Sequence, residues 1–135
     1  MPSVALDGEP VPSTGALPEA SLAELCDRPL GFYVHVPFCV TRCGYCDFNT
    51  YTAEELVSRD GGVTASRSTY AEQAIGEIAL ADRVLSGPRP AVNTVFVGGG
   101  TPTLLSPEDL GRIVAEIRDR FGLLPDAELT TEANP

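Results

Sequence analysis

Three short apolar runs alternate along the chain with two longer stretches of helical periodicity, and this order restricts the possible folds more than any other feature. Residues 31–36, 92–97 and 127–133 each predict a strand. Residues 70–85 and 107–121 instead place apolar side chains three and four positions apart, as one face of a helix requires. Each helical stretch is long enough to be a right-handed crossover between parallel strands. The sequence therefore predicts an α/β fold with parallel strands and crossover helices.

The second helical stretch also carries residues that start and stop a helix. Ser106 is a good N-cap, Pro107 suits the first helical position, and Gly122 favours the end. No helix follows the third predicted strand, and a complete (β/α) barrel needs about 250 residues. We therefore expect the first half of a (β/α) barrel, incomplete, in a fragment of a longer protein.

The composition is that of a folded domain without affinity for polyanions. Hydrophobic residues make up 43% of the 135 residues and charged residues 21%, unlike a disordered chain. Nine arginines against 19 acidic residues leave a net charge of −10, so neither nucleic acid nor an anionic membrane surface is expected as a partner. Because no apolar run could cross a membrane and the N-terminus lacks a secretory signal, a cytoplasmic protein is expected.

The strongest chemical signal is a run of three cysteines directly after the first predicted strand. Cys39, Cys43 and Cys46 form the pattern C-x-x-x-C-x-x-C on a predicted loop. Cysteines in a reducing compartment favour metal or redox chemistry over disulfides. Iron–sulfur cubanes are usually held by four cysteines, one per iron, so three neighbouring thiolates would leave one iron open to another ligand. Cys26 lies at no motif spacing and is interpreted as a bystander.

Two other interpretations of these cysteines remain open. A structural zinc site could combine all three with His35, although His35 precedes Cys39 on a strand rather than on a helix or knuckle. A thioredoxin-like pair at Cys43 and Cys46 has less support, because such a motif opens a helix and residues 50–62 have no clear apolar stripe. Neither interpretation explains the glycines that end the second predicted strand.

Two further motifs follow the second and third predicted strands, at the edge where ligands collect in α/β folds. Gly98, Gly99 and Gly100 are consecutive, and successive glycines let the backbone approach a ligand closely. A plain strand-to-helix turn is the alternative. Glu132 ends the third strand, where a carboxylate can accept both hydroxyls of a ribose, although taken alone it would rather be a solvated charge.

Together these motifs resemble the radical S-adenosylmethionine (radical SAM) enzymes, whose signature is C-x-x-x-C-x-x-C. The resemblance implies a [4Fe–4S] cluster on the three cysteines, with the open iron chelated by the amino and carboxylate groups of S-adenosylmethionine. In such enzymes an electron from the reduced cluster cleaves the sulfonium, and the resulting radical abstracts hydrogen from a substrate. The resemblance also implies that the methionine end of the cofactor contacts Gly99, Gly100 and Thr101. Its ribose would contact Glu132.

Residues 32–39, Phe-Tyr-Val-His-Val-Pro-Phe-Cys, are similar to a narrower group, the oxygen-independent coproporphyrinogen III oxidases and the related heme chaperones (HemW). This similarity implies that Tyr33 and Tyr45 contact S-adenosylmethionine. For His35 a structural and a functional role are equally open. Phe48 stands where the oxidases typically have a further cysteine, and Cys-Asp-Phe-Asn is instead similar to the heme-chaperone branch. The first hypothesis is therefore a heme chaperone with heme as cargo, and the second an oxidase that decarboxylates two propionates of coproporphyrinogen III.

The resemblance covers residues 30–135, which would form the N-terminal part of a radical SAM core domain, with the C-terminal domain absent. Residues 1–29 contain five prolines and no sustained periodicity, which predicts a flexible leader. The expected partners are heme or a porphyrinogen, an electron donor and a heme acceptor protein. No catalytic residue is assigned within the chain, and activity of such a fragment by itself is not expected.

Overall fold

The structure, a computed structural model, describes residues 12–23, 25–56, 66–85 and 87–134. In chain order the main elements are α1 (Glu19–Ala23), β1 (Leu30–Val36), α2 (Arg67–Val84), β2 (Val92–Gly99), α3 (Pro107–Phe121) and β3 (Leu123–Thr131). Short 3-10 turns at Leu25–Asp27 and Pro102–Leu104 precede β1 and α3. Within the described ranges, no helix is both long and apolar enough to cross a membrane.

The three strands form one parallel sheet in the order β1-β2-β3. The helices α2 and α3 are the crossovers that the sequence predicts. Side chains alternate across a strand, and the valines of β1 and β2 that face the helices are buried with Ile113 and Ile117 of α3. The opposite face of the sheet, which carries Tyr33 and Phe96, is open and partly exposed. One face of the sheet therefore holds the core and the other is available for ligands.

The helix α2 begins three residues before the predicted start at Tyr70. Ser66 is its N-cap, and the Ser66 hydroxyl accepts a hydrogen bond from Ser68 N at 3.2 Å. The first turn, residues 67–69, is polar, so the apolar periodicity did not reveal it. The capping serine, rather than the apolar stripe, decides where this helix begins.

The helix α3 has the predicted ends. The Ser106 hydroxyl accepts a hydrogen bond from Asp109 N at 3.0 Å. Gly122 has a φ of +73°, and its N–H donates to Arg118 O at 2.8 Å. The stripe that α3 buries against the sheet consists of Ile113, Ile117 and Phe121.

The strand β3 differs from the prediction of a strand over 127–133. It begins at Leu123, directly after the turn at Gly122, and ends at Thr131. Leu123 pairs with Val92 of β2, and this pairing sets the start of the strand. The predicted bounds were wrong at both ends. Pro125 and Asp126 interrupt the apolar pattern after the start of the strand, and pairing with β2 ends at Thr131.

Arg89, in the connection between α2 and β2, joins the two helices. Its guanidinium forms a salt bridge with Asp82 of α2 and lies over the ring of Phe121, 4.2 Å from the ring centroid. It also donates to the carbonyl oxygens of Leu85 at 2.9 Å and Arg120 at 3.0 Å. The hydrogen bond from Arg89, followed by that from Arg120, lowers the pKa of Asp82. The carboxylate of Asp82 therefore stays charged between two guanidinium groups.

The described part of the predicted leader contains α1 and the turn Leu25–Asp27, whereas residues 1–11 lie outside the described residues. The Cys26 thiol donates to Pro88 O at 2.9 Å, so the end of this segment contacts the connection after α2. Pro88 precedes β2 and the cysteine loop follows β1, so this contact lies at the opposite end of the parallel strands from the other three cysteines. The flexibility of the leader stays a prediction.

Candidate metal centre

The predicted site residues follow the three parallel strands. The cysteine loop, residues 39–46, comes after β1, and the glycine loop, residues 98–101, ends β2. Glu132 comes directly after β3. The strand β2 continues past its predicted end because Gly98 and Gly99 still pair with β1. Since the strands are parallel, their carboxyl ends share one edge of the sheet, which is where ligands bind in α/β folds.

The cysteine loop is closed by a return segment, residues 49–55. Tyr51 N donates to Pro37 O at 2.7 Å, and Tyr51 O accepts from Cys39 N at 3.0 Å. The two backbone stretches thereby form a short parallel bridge. The first cysteine is held at a defined backbone position by the chain that returns past it. The polar stretch after this segment, residues 57–65, lies outside the described residues.

Arg42 lies between the first two cysteines and connects the middle of the loop to the return segment through a hydrogen bond and a salt bridge. Its guanidinium donates to Thr50 O and forms a salt bridge with Glu55, with 3.5 Å between nitrogen and oxygen. Glu55 also accepts a hydrogen bond from Thr52 N at 2.7 Å. The Thr52 amide is the largest cause of the lowered pKa of Glu55, and Arg42 adds to it. Arg42 and Glu55 thus form an ion pair, and each of the two side chains is also hydrogen-bonded to a backbone group of the return segment.

The three cysteines of the loop are free thiols that differ in exposure. Cys39 and Cys46 are partly buried, whereas Cys43 is exposed. Cys46 N donates to Cys43 O at 3.0 Å, which forms a tight turn. Cys46 Sγ lies 3.5 Å from the hydroxyl oxygen of Thr50. That hydroxyl and the backbone amide of Phe48 lower the pKa of the Cys46 thiol, which favours the thiolate that a metal binds.

The donor set of the cysteine loop, three free thiols, is of the kind that holds iron–sulfur clusters. Within the described ranges, no three side chains of Cys, His, Asp or Glu lie close enough together to hold one ion. A cubane cluster takes one thiolate per iron, so its ligands need not converge on one atom. Three free thiols on one loop would supply thiolates to three of the four irons of such a cluster.

The glycine loop packs against the N-terminal end of the cysteine loop. Gly100 N donates to Val36 O and Thr101 N donates to Phe38 O, both at 2.8 Å. A β-carbon at Gly100 would lie 2.8 Å from Cys39 Sγ and closer still to the carbonyl oxygen of Phe38. Only glycine therefore fits at position 100, directly beside the first cysteine.

The carboxylate of Glu132 is hydrogen-bonded to the glycine loop. Glu132 Oε2 accepts from Gly99 N at 3.0 Å, and Glu132 N donates to Val97 O at 3.0 Å. A β-carbon at Gly98 would come within 3.1 Å of the same carboxylate oxygen. Glu132 is nevertheless exposed, so a ligand hydroxyl can reach it. The carboxylate is oriented by the loop rather than free in solvent.

His35 connects the open face of the sheet to the return segment. Its Nδ1 is 2.8 Å from the Tyr33 hydroxyl, and its Nε2 is 2.8 Å from Asn49 O. A carbonyl oxygen only accepts, so Nε2 carries a proton, and in the neutral ring Nδ1 then accepts from the Tyr33 hydroxyl. The Tyr33 ring stacks on Phe96, with 5.8 Å between ring centroids. Both nitrogens of His35 are thus occupied by hydrogen bonds, which favours a structural role.

The other predicted contact residues differ in exposure. Thr101 is buried, and its hydroxyl accepts from Asn134 Nδ2 at 3.2 Å. Tyr45 is 89% exposed, so its ring lies almost entirely in solvent. Sequence reasoning missed Arg42 and Thr50. The only sequence feature that could have pointed to them is their position within or just after the cysteine run. The segment has no apolar periodicity from which the burial of Thr50 could be predicted.

Known proteins are similar to this chain over most of its length. The family model of the radical SAM superfamily matches residues 33–135. The heme chaperone HemW of Mycobacterium tuberculosis is 53% identical over 114 residues, which cover 84% of this chain and 27% of that protein. The oxygen-independent coproporphyrinogen III oxidase of Bradyrhizobium diazoefficiens is 38% identical over 115 residues, which cover 82% of this chain and 24% of that protein.

One solved structure is similar as well, the coproporphyrinogen III oxidase (HemN) from Escherichia coli, a radical SAM enzyme. The TM-score is 0.61 and the identity 29%, over 86% of this chain and 25% of that one. The match confirms the predicted α/β fold, with parallel strands and crossover helices as in part of a (β/α) barrel. The chain spans about a quarter of the length of these relatives.

Proposed function

This chain belongs to the radical SAM superfamily, and from that premise we propose that Cys39, Cys43 and Cys46 hold a [4Fe–4S] cluster whose open iron takes S-adenosylmethionine. When bound, the reduced cluster supplies the electron that cleaves this sulfonium cofactor. The proposal is supported by three free thiols on one loop and by the lowered pKa of Cys46. A zinc site that includes His35 has less support, because both ring nitrogens of His35 are hydrogen-bonded.

We assign the methionine end of the cofactor to Gly99, Gly100 and Thr101 and its ribose to Glu132. The support is the position of the glycine loop between the first cysteine and the acid. Gly100 adjoins Cys39, and Gly99 N donates to the carboxylate. A carboxylate oriented in this way can accept hydrogen bonds from both ribose hydroxyls. The further cofactor contacts in this proposal are Tyr33 and Tyr45.

For the protein as a whole we propose a heme chaperone. The observation that carries this proposal is the 53% identity with HemW. Phe48 also supports the chaperone proposal. It lies two residues after Cys46, where the oxidases typically have a further cysteine, and is 67% exposed. A phenyl ring cannot ligate iron. The heme acceptor, the electron donor and the cytoplasmic location stay predictions from the sequence. Residues 30–135 would be the first part of the radical SAM domain.

The second candidate is an oxygen-independent coproporphyrinogen III oxidase. It is favoured by the 38% identity with the Bradyrhizobium diazoefficiens enzyme and by the structural similarity to HemN. Both candidates use the same cluster and cofactor. They differ in whether the porphyrin is carried unchanged or converted.

Anaerobic reconstitution of the intact protein with iron and sulfide tests the cluster. The wild type is expected to bind about four iron atoms per chain and to show an EPR signal on reduction that changes when S-adenosylmethionine is added. Cys43→Ala is expected to lose most of this iron. Cys26→Ala is the matched control, because that thiol contacts Pro88 instead of the loop. Equal iron in wild type and Cys43→Ala, or binding of zinc without iron, would contradict the proposal.

The loaded, reduced protein then separates the two candidate functions. With S-adenosylmethionine and coproporphyrinogen III, the chaperone proposal expects no protoporphyrinogen by chromatography. A titration with heme is expected to show stoichiometric binding. Stoichiometric formation of protoporphyrinogen would overturn the chaperone proposal and support the oxidase.

A further inference from the structure

Thr50 is completely buried although it lies in a polar and otherwise largely exposed segment. Its hydroxyl oxygen is 3.5 Å from Cys46 Sγ, and its carbonyl oxygen accepts from Arg42. A buried hydroxyl costs free energy unless it is hydrogen-bonded. The burial of Thr50 is therefore compensated by its contact with the last cysteine of the loop.

The backbone on both sides holds Thr50 in this position. Thr50 N donates to Phe48 O at 2.8 Å, and the next residue, Tyr51, is hydrogen-bonded to Pro37 and to Cys39. The side chain of threonine is branched at the β-carbon, which restricts its rotation. The hydroxyl thus stays at the base of the cysteine loop.

We propose that Thr50 donates a hydrogen bond to Cys46 Sγ in the cluster-loaded protein and raises the reduction potential of the cluster. This inference rests on the proposed cluster. A thiolate bound to iron has lone pairs and no proton, so in that state the hydroxyl must be the donor. Hydrogen bonds to the sulfurs are among the factors that set the potentials of iron–sulfur clusters.

The affected step is the one-electron reduction of [4Fe–4S]²⁺ to [4Fe–4S]⁺, with dithionite as the reductant in vitro. The added negative charge is shared with the sulfur ligands, so a hydrogen bond to Cys46 stabilises the reduced state more than the oxidised state. Thr50 is a positioning residue that acts through Cys46. Loss of its hydroxyl shifts the midpoint potential to a more negative value.

An EPR-monitored potentiometric titration of the intact, reconstituted protein tests the inference. Thr50→Val keeps the shape of the side chain without the hydroxyl and is expected to have a more negative midpoint potential than the wild type. Thr50→Ser keeps the hydroxyl and is expected to stay close to the wild type. Equal potentials for wild type and Thr50→Val overturn the inference. A wild type that takes up no cluster instead overturns the cluster proposal itself.

A measurement on the wild type covers the case in which Thr50→Val does not fold. Deuterium ENDOR of the reduced cluster, after brief exchange into D₂O, is expected to detect a coupled deuteron, because a hydroxyl exchanges faster than a hydrogen-bonded amide. Absence of such a coupling from a fully loaded wild type overturns the inference.

Discussion

Replacement of Gly100 by alanine is expected to force apart the glycine loop and the cysteine loop. The added β-carbon would lie 2.8 Å from Cys39 Sγ and 2.9 Å from the carbonyl carbon of Phe38, and closer still to the carbonyl oxygen. The Phe38 atoms belong to the backbone, so they cannot turn away as the end of a flexible side chain could. One of the two loops must therefore move.

The expected loss in the free energy of unfolding can be worked out from the contacts that such a movement strains. Overpacking of this kind costs roughly 1–3 kcal/mol. The glycine loop is also held by the hydrogen bonds from Gly100 N to Val36 O and from Thr101 N to Phe38 O, both at 2.8 Å. A hydrogen bond contributes about 0.5–1.5 kcal/mol, so the loss of both brings the total to roughly 2–6 kcal/mol.

The assay is unfolding of the metal-free protein by urea and by heat, with Gly111→Ala as the matched control. Gly111 lies in α3, and a β-carbon there would meet no heavy atom within 4 Å. Alanine in a helix is more stable than glycine by about 0.5–1 kcal/mol, so the control is expected to gain stability. For a chain of this size, a loss of 1 kcal/mol lowers Tm by about 3–5 °C.

The two glycine variants are thus expected to change stability in opposite directions. A Gly100→Ala protein as stable as the wild type, beside a stabilised Gly111→Ala protein, would contradict the close contact between the two loops. Iron uptake by Gly100→Ala is expected to fall as well, because the displaced loop pushes on Cys39.

Two further predictions concern Tyr70 and Asp82. The Tyr70 hydroxyl donates to His35 O at 2.5 Å, and Tyr70→Phe is expected to lower the free energy of unfolding by about 0.5–1.5 kcal/mol in urea titrations. Burial raises the pKa of Tyr70 to about 12, so its contribution to stability is complete below about pH 10 and is lost as the pH rises toward 12; an alkaline loss that is the same in Tyr70→Phe would contradict this. The hydrogen bond from Arg89 lowers the pKa of Asp82, so its contribution is present above about pH 4 and is lost as the pH falls through the lowered value. Asp82→Asn is expected to flatten the acid limb of the stability profile, and an acid limb as steep as that of the wild type would show that the pair does not stabilise the fold.

The helix α3, whose start and stop signals lie next to its apolar stripe, was predicted well. The ends of α3 match the prediction, because Ser106 bonds to a nearby amide and Gly122 adopts a positive φ. The start of β3 was predicted wrongly, since it depends on the pairing of Leu123 with Val92, far away in the sequence. A local pattern of apolar residues does not show which strand a segment pairs with in the sheet.

The sequence by itself determined which residue types the candidate site contains, because residue type and spacing are properties of the chain. Three closely spaced cysteines, a glycine run and an acid follow successive strands, and the parallel order of those strands places them at one edge. Only the tertiary structure decided which groups His35 and Thr50 contact. His35 bonds to Tyr33 and Asn49, and Thr50 is buried against Cys46. Both arrangements arise where the chain folds back past its own loop, and such neighbours are set by packing and hydrogen bonding in space, which no periodicity along the sequence encodes.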